Sequence, residues 1–150
     1  MITLVKLTSK NFGAYRKFSI QHFAVAVSKA RNINQAEGRR LAKKSFNSIF
    51  SKGEKKDQYV YRAMNGRMCV GFLHIGIRRD RPKPYLYIWD IFINPKHRRK
   101  GFGKEVLALA EVKARELGIH KILLNVFGFN KPAIQLYKGT GYRAESSIMA

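Results

Sequence analysis

Apolar residues recur at two different periods along this chain, and the switches between them predict the order of its elements. Residues 2–7 form a short apolar run that reads as a strand. Phe12, Tyr15, Phe18, His22, Val25 and Val27 then recur at helical intervals towards Ala30, which predicts a long first helix. Asn34 suits the N-cap of a second helix, with Ala36, Leu41, Ala42, Phe46, Ile49 and Phe50 on its apolar positions and Gly38 weakening its first half. Runs at 59–64 and 69–75 flank Asn65-Gly66, a dipeptide suited to a tight turn, and predict an antiparallel hairpin. After a Pro- and charge-rich loop at 79–84, Tyr85–Ile93 is apolar on both faces except for Asp90, the pattern of a central strand. Pro95 ends it. Val106, Leu107, Leu109, Ala110, Ala114 and Leu117 mark an amphipathic helix closed by Gly118, and a strand follows at 121–127. Asn130 and Pro132 open a short helix through Tyr137, and 142–149 reads as a last strand. The expected order is β-α-α-β-β-β-α-β-α-β, an α/β domain with a mixed central sheet flanked by helices.

At 150 residues the chain is one domain's worth, and 45% hydrophobic content supports a packed core without staples. Thirty Lys and Arg against nine Asp and Glu give a net charge of +21, so an anionic partner is expected and cationic ones are disfavoured. The cations cluster in the front half, at Arg39-Arg40, Lys43-Lys44 and 52–56, while the part after Gly101 is nearly balanced by Glu105, Glu111, Glu116 and Glu145. Lys6 interrupts the opening apolar run before it is long enough for a secretory or membrane segment. Cys69, the one cysteine, has no internal partner for a disulfide and reads as a buried structural thiol. These features point to a reducing cytoplasm. His22, His74, His97 and His120 lack metal-ligand spacing, so no metal is expected.

The chemistry concentrates after the central strand, at Arg98-Arg99-Lys100-Gly101-Phe102-Gly103-Lys104. A helix N-terminus offers unpaired N–H groups and the positive end of a dipole, and glycines let a phosphate come close to the backbone. The same residues also suit a plain basic turn. Taken with the strand before it and the helix after it, the turn resembles the cofactor motif of the GNAT superfamily of N-acetyltransferases, [RQ]-x-x-G-x-[GA]. A second feature of that family, an Asn before a helix that carries Ala and Tyr and closes on Gly-aromatic, is matched by Asn130, Ala133, Tyr137, Gly141 and Tyr142. The closing part of the chain is most similar to the small bacterial amine or protein N-acetyltransferases.

The resemblance implies acetyl-CoA as cosubstrate, with its phosphates at Arg98, Arg99, Lys100, Gly101, Gly103 and Lys104. It implies that the pantetheine arm lies along the main chain of Ile91, Phe92 and Ile93. It also implies that Asn130 touches the cofactor, although an N-cap role suits Asn130 equally. By the same likeness Tyr137 is the acid for the leaving thiolate; a core tyrosine is the alternative. Asp90 is the candidate base, since burial would raise its pKa, or else a paired structural acid. Some family members carry a glutamate where this chain has Asn125 or Tyr87, and neither can take its proton at neutral pH. Trp89 and its neighbouring tyrosines suit either an acceptor cleft or the core. The net charge favours an amine acceptor with anionic character or on an acidic protein. A nucleic-acid- or ribosome-binding module on the same fold is the competing reading, and it predicts steep salt dependence.

Overall fold

The computed structural model describes residues 1–51 and 55–150, leaving aside the side chain of Lys55. Five strands form one sheet in the order β1 (Ile2–Lys6), β2 (Gln58–Asn65), β3 (Met68–Arg78), β4 (Tyr85–Ile93) and β5 (Ile122–Leu124). The first three junctions are antiparallel and β4–β5 is parallel, because the chain must cross over through a helix to return in the same direction. The helices are α1 (Ser9–Arg31), α2 (Gln35–Ile49), α3 (Phe102–Glu116) and α4 (Lys131–Gly139). Short 3-10 turns lie at Lys55–Asp57 and Pro95–His97.

The sheet is buried on both faces, as the unbroken apolar run of β4 requires. Val106, Leu107, Ala110 and Ala114 of α3 pack with Leu73, Ile75, Leu86 and Ile88 on one face. Tyr15, Ile20 and Ala24 of α1 pack with Ala42 and Phe46 of α2 on the other, where Phe72 and His74 meet the same aromatic cluster. Asn34 caps α2 by accepting from Glu37 N–H at 2.8 Å, and Gly118 closes α3 with φ +71°.

Gly38, a weak helix former, is where α2 crosses α1. A Cβ there would overlap Ser28 Oγ and lie 2.9 Å from the main-chain oxygen of Ala24. The serine can rotate; the carbonyl cannot. Gly38→Ala is therefore expected to lose stability, although helix propensity alone favours alanine by about 1 kcal/mol. Overpacking costs about 1–3 kcal/mol, so a lower denaturation midpoint is expected, and a raised midpoint would show that the helices part freely.

Four expectations are corrected. Residues 142–149 are not a strand: Tyr142 still packs on Tyr137, but the face formed by Tyr142, Ala144 and Ile148 is small and interrupted by Ser146, and the segment joins no strand of the sheet. Ile148 and Met149 are almost fully exposed, and Glu145 is held by Arg81 and Lys121 instead. The strand expected at 121–127 pairs over only three residues, for a reason that lies in β4. Cys69 is exposed at the end of the hairpin rather than buried. The hairpin itself turns on Gly66-Arg67, with Asn65 paired to Met68 and Gly66 at φ +62°, as a glycine-first two-residue turn requires. Arg39, Arg40, Lys43 and Lys44 lie on the exposed side of α2, whereas 52–54 of the basic run at 52–56 lie outside the described residues.

Candidate active site

The site begins with a fault in the sheet. The β3–β4 register shifts between His74, opposite Asp90, and Ile75, opposite Ile88, leaving Trp89 as the extra residue of a bulge. A bulge bends its strand and increases the local twist. β5 pairs with β4 only at Leu86, Tyr87 and Ile88, so beyond the bulge β4 has an open edge.

Main-chain groups alternate between the two edges of a strand. Asn94 N–H donates to Val70 O of β3 at 2.8 Å, which sends the main chain of Phe92 to β3 and that of Ile91 and Ile93 to the open edge. Of the three residues grouped from sequence, the fold thus brings two to the edge. Arg98 already occupies the Ile93 carbonyl, donating from Nε at 2.8 Å, and lies 5.6 Å over the Phe92 ring. It fastens the end of β4 to the basic turn.

Within that turn the glycines have separate reasons. Gly101, the N-cap of α3, has φ +80° with open space where a Cβ would stand, so its role is conformational. At Gly103 a Cβ would come 3.1 Å from Leu136 Cδ2 of α4. Its smallness lets α3 pack on α4. Arg99 takes φ +61°, an uncommon conformation for a side chain of its size. The N–H groups of Phe102, Gly103 and Lys104 have no acceptor among the described residues. The acid of the first turn, Glu105, faces away and accepts from Ile2 N–H at 3.1 Å. Arg99, Lys100 and Lys104 are exposed or nearly so and form no ion pair among the described residues.

Beside the open edge lies a cavity of about 310 Å3 walled by α1, α2, β4, the end of β5 and α4. Asp90, Tyr137, Asn125 and Asn130 all line it. Asp90 Oδ2 is shut from solvent without a hydrogen-bond partner, and no arginine pairs with the carboxylate. Burial pushes its pKa up to about 7, an effect that the Tyr15 hydroxyl on α1 partly opposes. Tyr15 Oη is buried without completing a hydrogen bond, and its pKa is raised well above the phenol range by burial and by Asp90. Tyr137 is buried on α4, its pKa pushed up to about 12 by burial, then by Asp90 and Tyr142. It is therefore a hydroxyl at any working pH. Asn130 caps α4 by accepting from Ala133 N–H at 3.4 Å.

Several lining residues carried no signal of a site in the sequence, apart from Trp89 and Tyr87, which it offered as either cleft or core. His74 sits opposite Asp90, is bonded to Gln58 at 2.8 Å, and is held neutral by burial, its pKa lowered to about 3. The His22 imidazole is held below its usual value by burial and then by Arg98. The Trp89 indole packs on Tyr87, ring centroids 4.5 Å apart, and Phe23 of α1 stacks at 6.1 Å on Phe127 of the β5–α4 loop. An alternating apolar pattern marks such residues as core, and only the bulge makes them a wall. Among the described residues no cluster of three or more His, Cys, Asp or Glu side chains could hold a metal, and no helix is long and apolar enough to cross a membrane.

The model of the acetyltransferase (GNAT) family matches residues 27–142. YycN, an uncharacterized N-acetyltransferase of Bacillus subtilis, is 28% identical over 151 residues, covering 99% of this chain and 97% of that protein. Its crystal structure superposes with a TM-score of 0.92, covering 100% of this chain and 97% of that one. YdgE, a second uncharacterized N-acetyltransferase of Bacillus subtilis, is 25% identical and covers 93% and 90%. An acetyltransferase of Clostridium acetobutylicum crystallised with acetyl-CoA shares the fold at 17% identity, with a TM-score of 0.64 and coverage of 100% and 95%.

Proposed function

The chain belongs to the acetyltransferase (GNAT) family, and from that premise we propose that it transfers an acetyl group directly from acetyl-CoA to a primary amine of a small molecule or protein. The observation that carries this reading is the open edge of β4 running into a basic turn whose helix N–H groups are unpaired. One groove thereby offers an amide arm its strand partners and a pyrophosphate its donors. The bound acetyl-CoA of the Clostridium neighbour supports the same cosubstrate here.

In this reading Ile91 and Ile93 pair with the pantetheine amides. Arg99, Lys100, Lys104 and the first N–H groups of α3 hold the phosphates, and Gly101 supplies the turn that aims them. Arg98 acts by holding the end of β4. Gly103 lets α3 close on α4, and Asn130 fixes the start of the helix that carries Tyr137. The neutral amine attacks the thioester carbonyl carbon, forming the C–N bond. The oxyanion is held by N–H groups of the open edge, and the C–S bond then breaks. The ammonium proton passes to Asp90, directly or through water. A phenol near 12 is a much weaker acid than a thiol, near 8.5, so Tyr137 stabilises the departing thiolate as a hydrogen-bond donor.

The acceptor has anionic character or stands on an acidic protein, because the net charge repels cationic amines. Its use of acetyl-CoA fits a cytoplasmic protein. The exposed basic side of α2 reads as a solvated helix face, and a nucleic-acid role gains no support from the family match.

Calorimetric titration with acetyl-CoA tests the cosubstrate. One-site binding is expected, weakened at least tenfold in Gly101→Val, where a β-branched residue at φ +80° is strained and the turn must re-form. A Lys43→Gln/Lys44→Gln control on the far side of α2 should bind normally. Absence of binding by the unaltered protein would sink the enzyme reading.

A further inference from the structure

The described acids other than Asp90 lie away from the cleft. Glu37, Asp57, Asp80, Glu116 and Glu145 are paired with arginine or lysine. Glu105 is bonded to Ile2 N–H, and Glu111 borders a separate depression beside Tyr142. Among the described residues the cleft thus presents one carboxylate, itself buried.

At its other end stands a cation, Arg31, the last residue of α1. The inward stripe of α1 runs Ile20, Ala24, Val27, all buried, and the next position at helical spacing is Arg31. A stripe that faces a core closes well on a cation in the last turn, where the helix dipole favours one. Here it ends in a guanidinium that lines the cavity and has neither an ion pair nor a side-chain hydrogen bond among the described residues. Its neighbour Lys29 is engaged otherwise, 4.5 Å over the Phe129 ring. Arg31 is the one lysine or arginine on the cavity wall among the described residues.

We propose that Arg31 is the specificity residue of the acceptor site, binding a carboxylate carried by the amine substrate, so that the preferred acceptors are long ω-amino acids or chains that present an amine and a carboxylate at that separation. The inference rests on the acetyltransferase reading, which supplies the amine end. The separation follows from α1. Ser19, which borders the cavity beside the Asp90–Tyr15 end, is twelve residues before Arg31, roughly 18 Å along the helix. Side chains lean towards the helix N-terminus, which shortens that span without closing it. A short acceptor such as β-alanine cannot reach both ends. Phe23, Ala26 and Phe46 lie along the wall and offer a methylene spacer apolar contacts. A guanidinium takes a carboxylate in a bidentate grip, and a diamine placed there meets like charge.

The test measures acetyl transfer to a length series of ω-amino acids, from β-alanine to aminoundecanoate, beside alkylamines and diamines of matched length. An aminoalkyl phosphate arm distinguishes a carboxylate site from a general anion site. The unaltered protein is expected to favour long ω-amino acids over matched alkylamines by roughly tenfold or more in kcat/KM, the scale of one charge-assisted hydrogen bond. Diamines should come last, and the difference should lie in KM. Arg31→Gln should abolish the preference. Arg31→Glu should reverse it towards diamines, with acetyl-CoA affinity unchanged in both; the side chain is exposed, so both variants should fold. Equal use of the three classes, a preference that survives Arg31→Glu, or a better phosphate than carboxylate would overturn the proposal. So would a loss of acetyl-CoA affinity in the variants, which would assign Arg31 to the cosubstrate instead. Acetyl-CoA binding without transfer to any long ω-amino acid also overturns it. If the unaltered protein binds no acetyl-CoA at all, the fault lies with the enzyme reading itself.

Discussion

Replacing Tyr137 by phenylalanine is expected to lower kcat by roughly 10²–10³-fold, the range for removing one hydrogen-bond donor to developing negative charge, while acetyl-CoA affinity changes little. The hydroxyl is the only group lost. The ring remains to pack against Tyr142, 6.0 Å away between centroids, so the thermal midpoint should hardly move. With its pKa pushed up to about 12, the phenol keeps its proton across the working range, and no limb of the unaltered pH profile should belong to it. A slow variant that regains rate with a thioester of a more acidic thiol would identify the leaving group as the point of action. Full activity in Tyr137→Phe would make the residue a core tyrosine.

Asp90→Asn is expected to reduce kcat/KM by a factor of the same order, and to change its shape with pH. Because burial raises the carboxyl to about 7, the base is available above that pH. The unaltered enzyme should gain rate through neutrality, and the variant should lose this inflection. Stability should move in the opposite direction. An acid with a folded pKa raised above its unfolded value near 4 binds more protons folded than unfolded, so its stability is full below pH 4. That stability is lost as pH rises towards 7. Each tenfold difference in proton affinity between the folded and unfolded chain corresponds to about 1.4 kcal/mol. Asp90→Asn should therefore be more stable than the parent at pH 8, by a few kcal/mol at most, and equal to it near pH 4. Chemical denaturation at the two pH values checks this. A variant less stable at pH 8 would mark Asp90 as a structural acid. An unaltered activity profile would move the base elsewhere, with the neutral His22 on the cavity wall as the next group to replace.

Most of the architecture was legible because it rests on local rules. The helical spacing of α1 and α3, the Asn caps of α2 and α4, and the two-sided apolar run of β4 each declare an element within a few residues. The closing strand failed because 142–149 places tyrosine and isoleucine, residues common in strands, on one weak face that Ser146 interrupts, and the segment finds no partner in the sheet. The turn failed by one residue because Asn65 is as good a turn former as Gly66, and only the register against Met68 decides between them. Gly38 looked like a weakness, whereas it is a point where two helices touch, and Gly103 is a second such point.

Within the candidate site, Asp90 and the 98–104 turn could be singled out in the sequence because their chemistry stands out from their surroundings, and Tyr137 through the family resemblance. Tyr15, Phe23, His74 and Arg31 could not, since each sits in a pattern that packing alone explains. The chain by itself determined the order of its elements, the net charge, and the chemical groups available at the end of β4. Tertiary structure alone decided which of them meet. Trp89 bulges out, β4 leaves β5 after Ile88, and Ile91 and Ile93 turn to an empty edge while Phe92 turns to β3. The physical reason is that a strand offers its main-chain groups to both neighbours without regard to side chain, so only the pairing of the whole sheet determines which edge remains open.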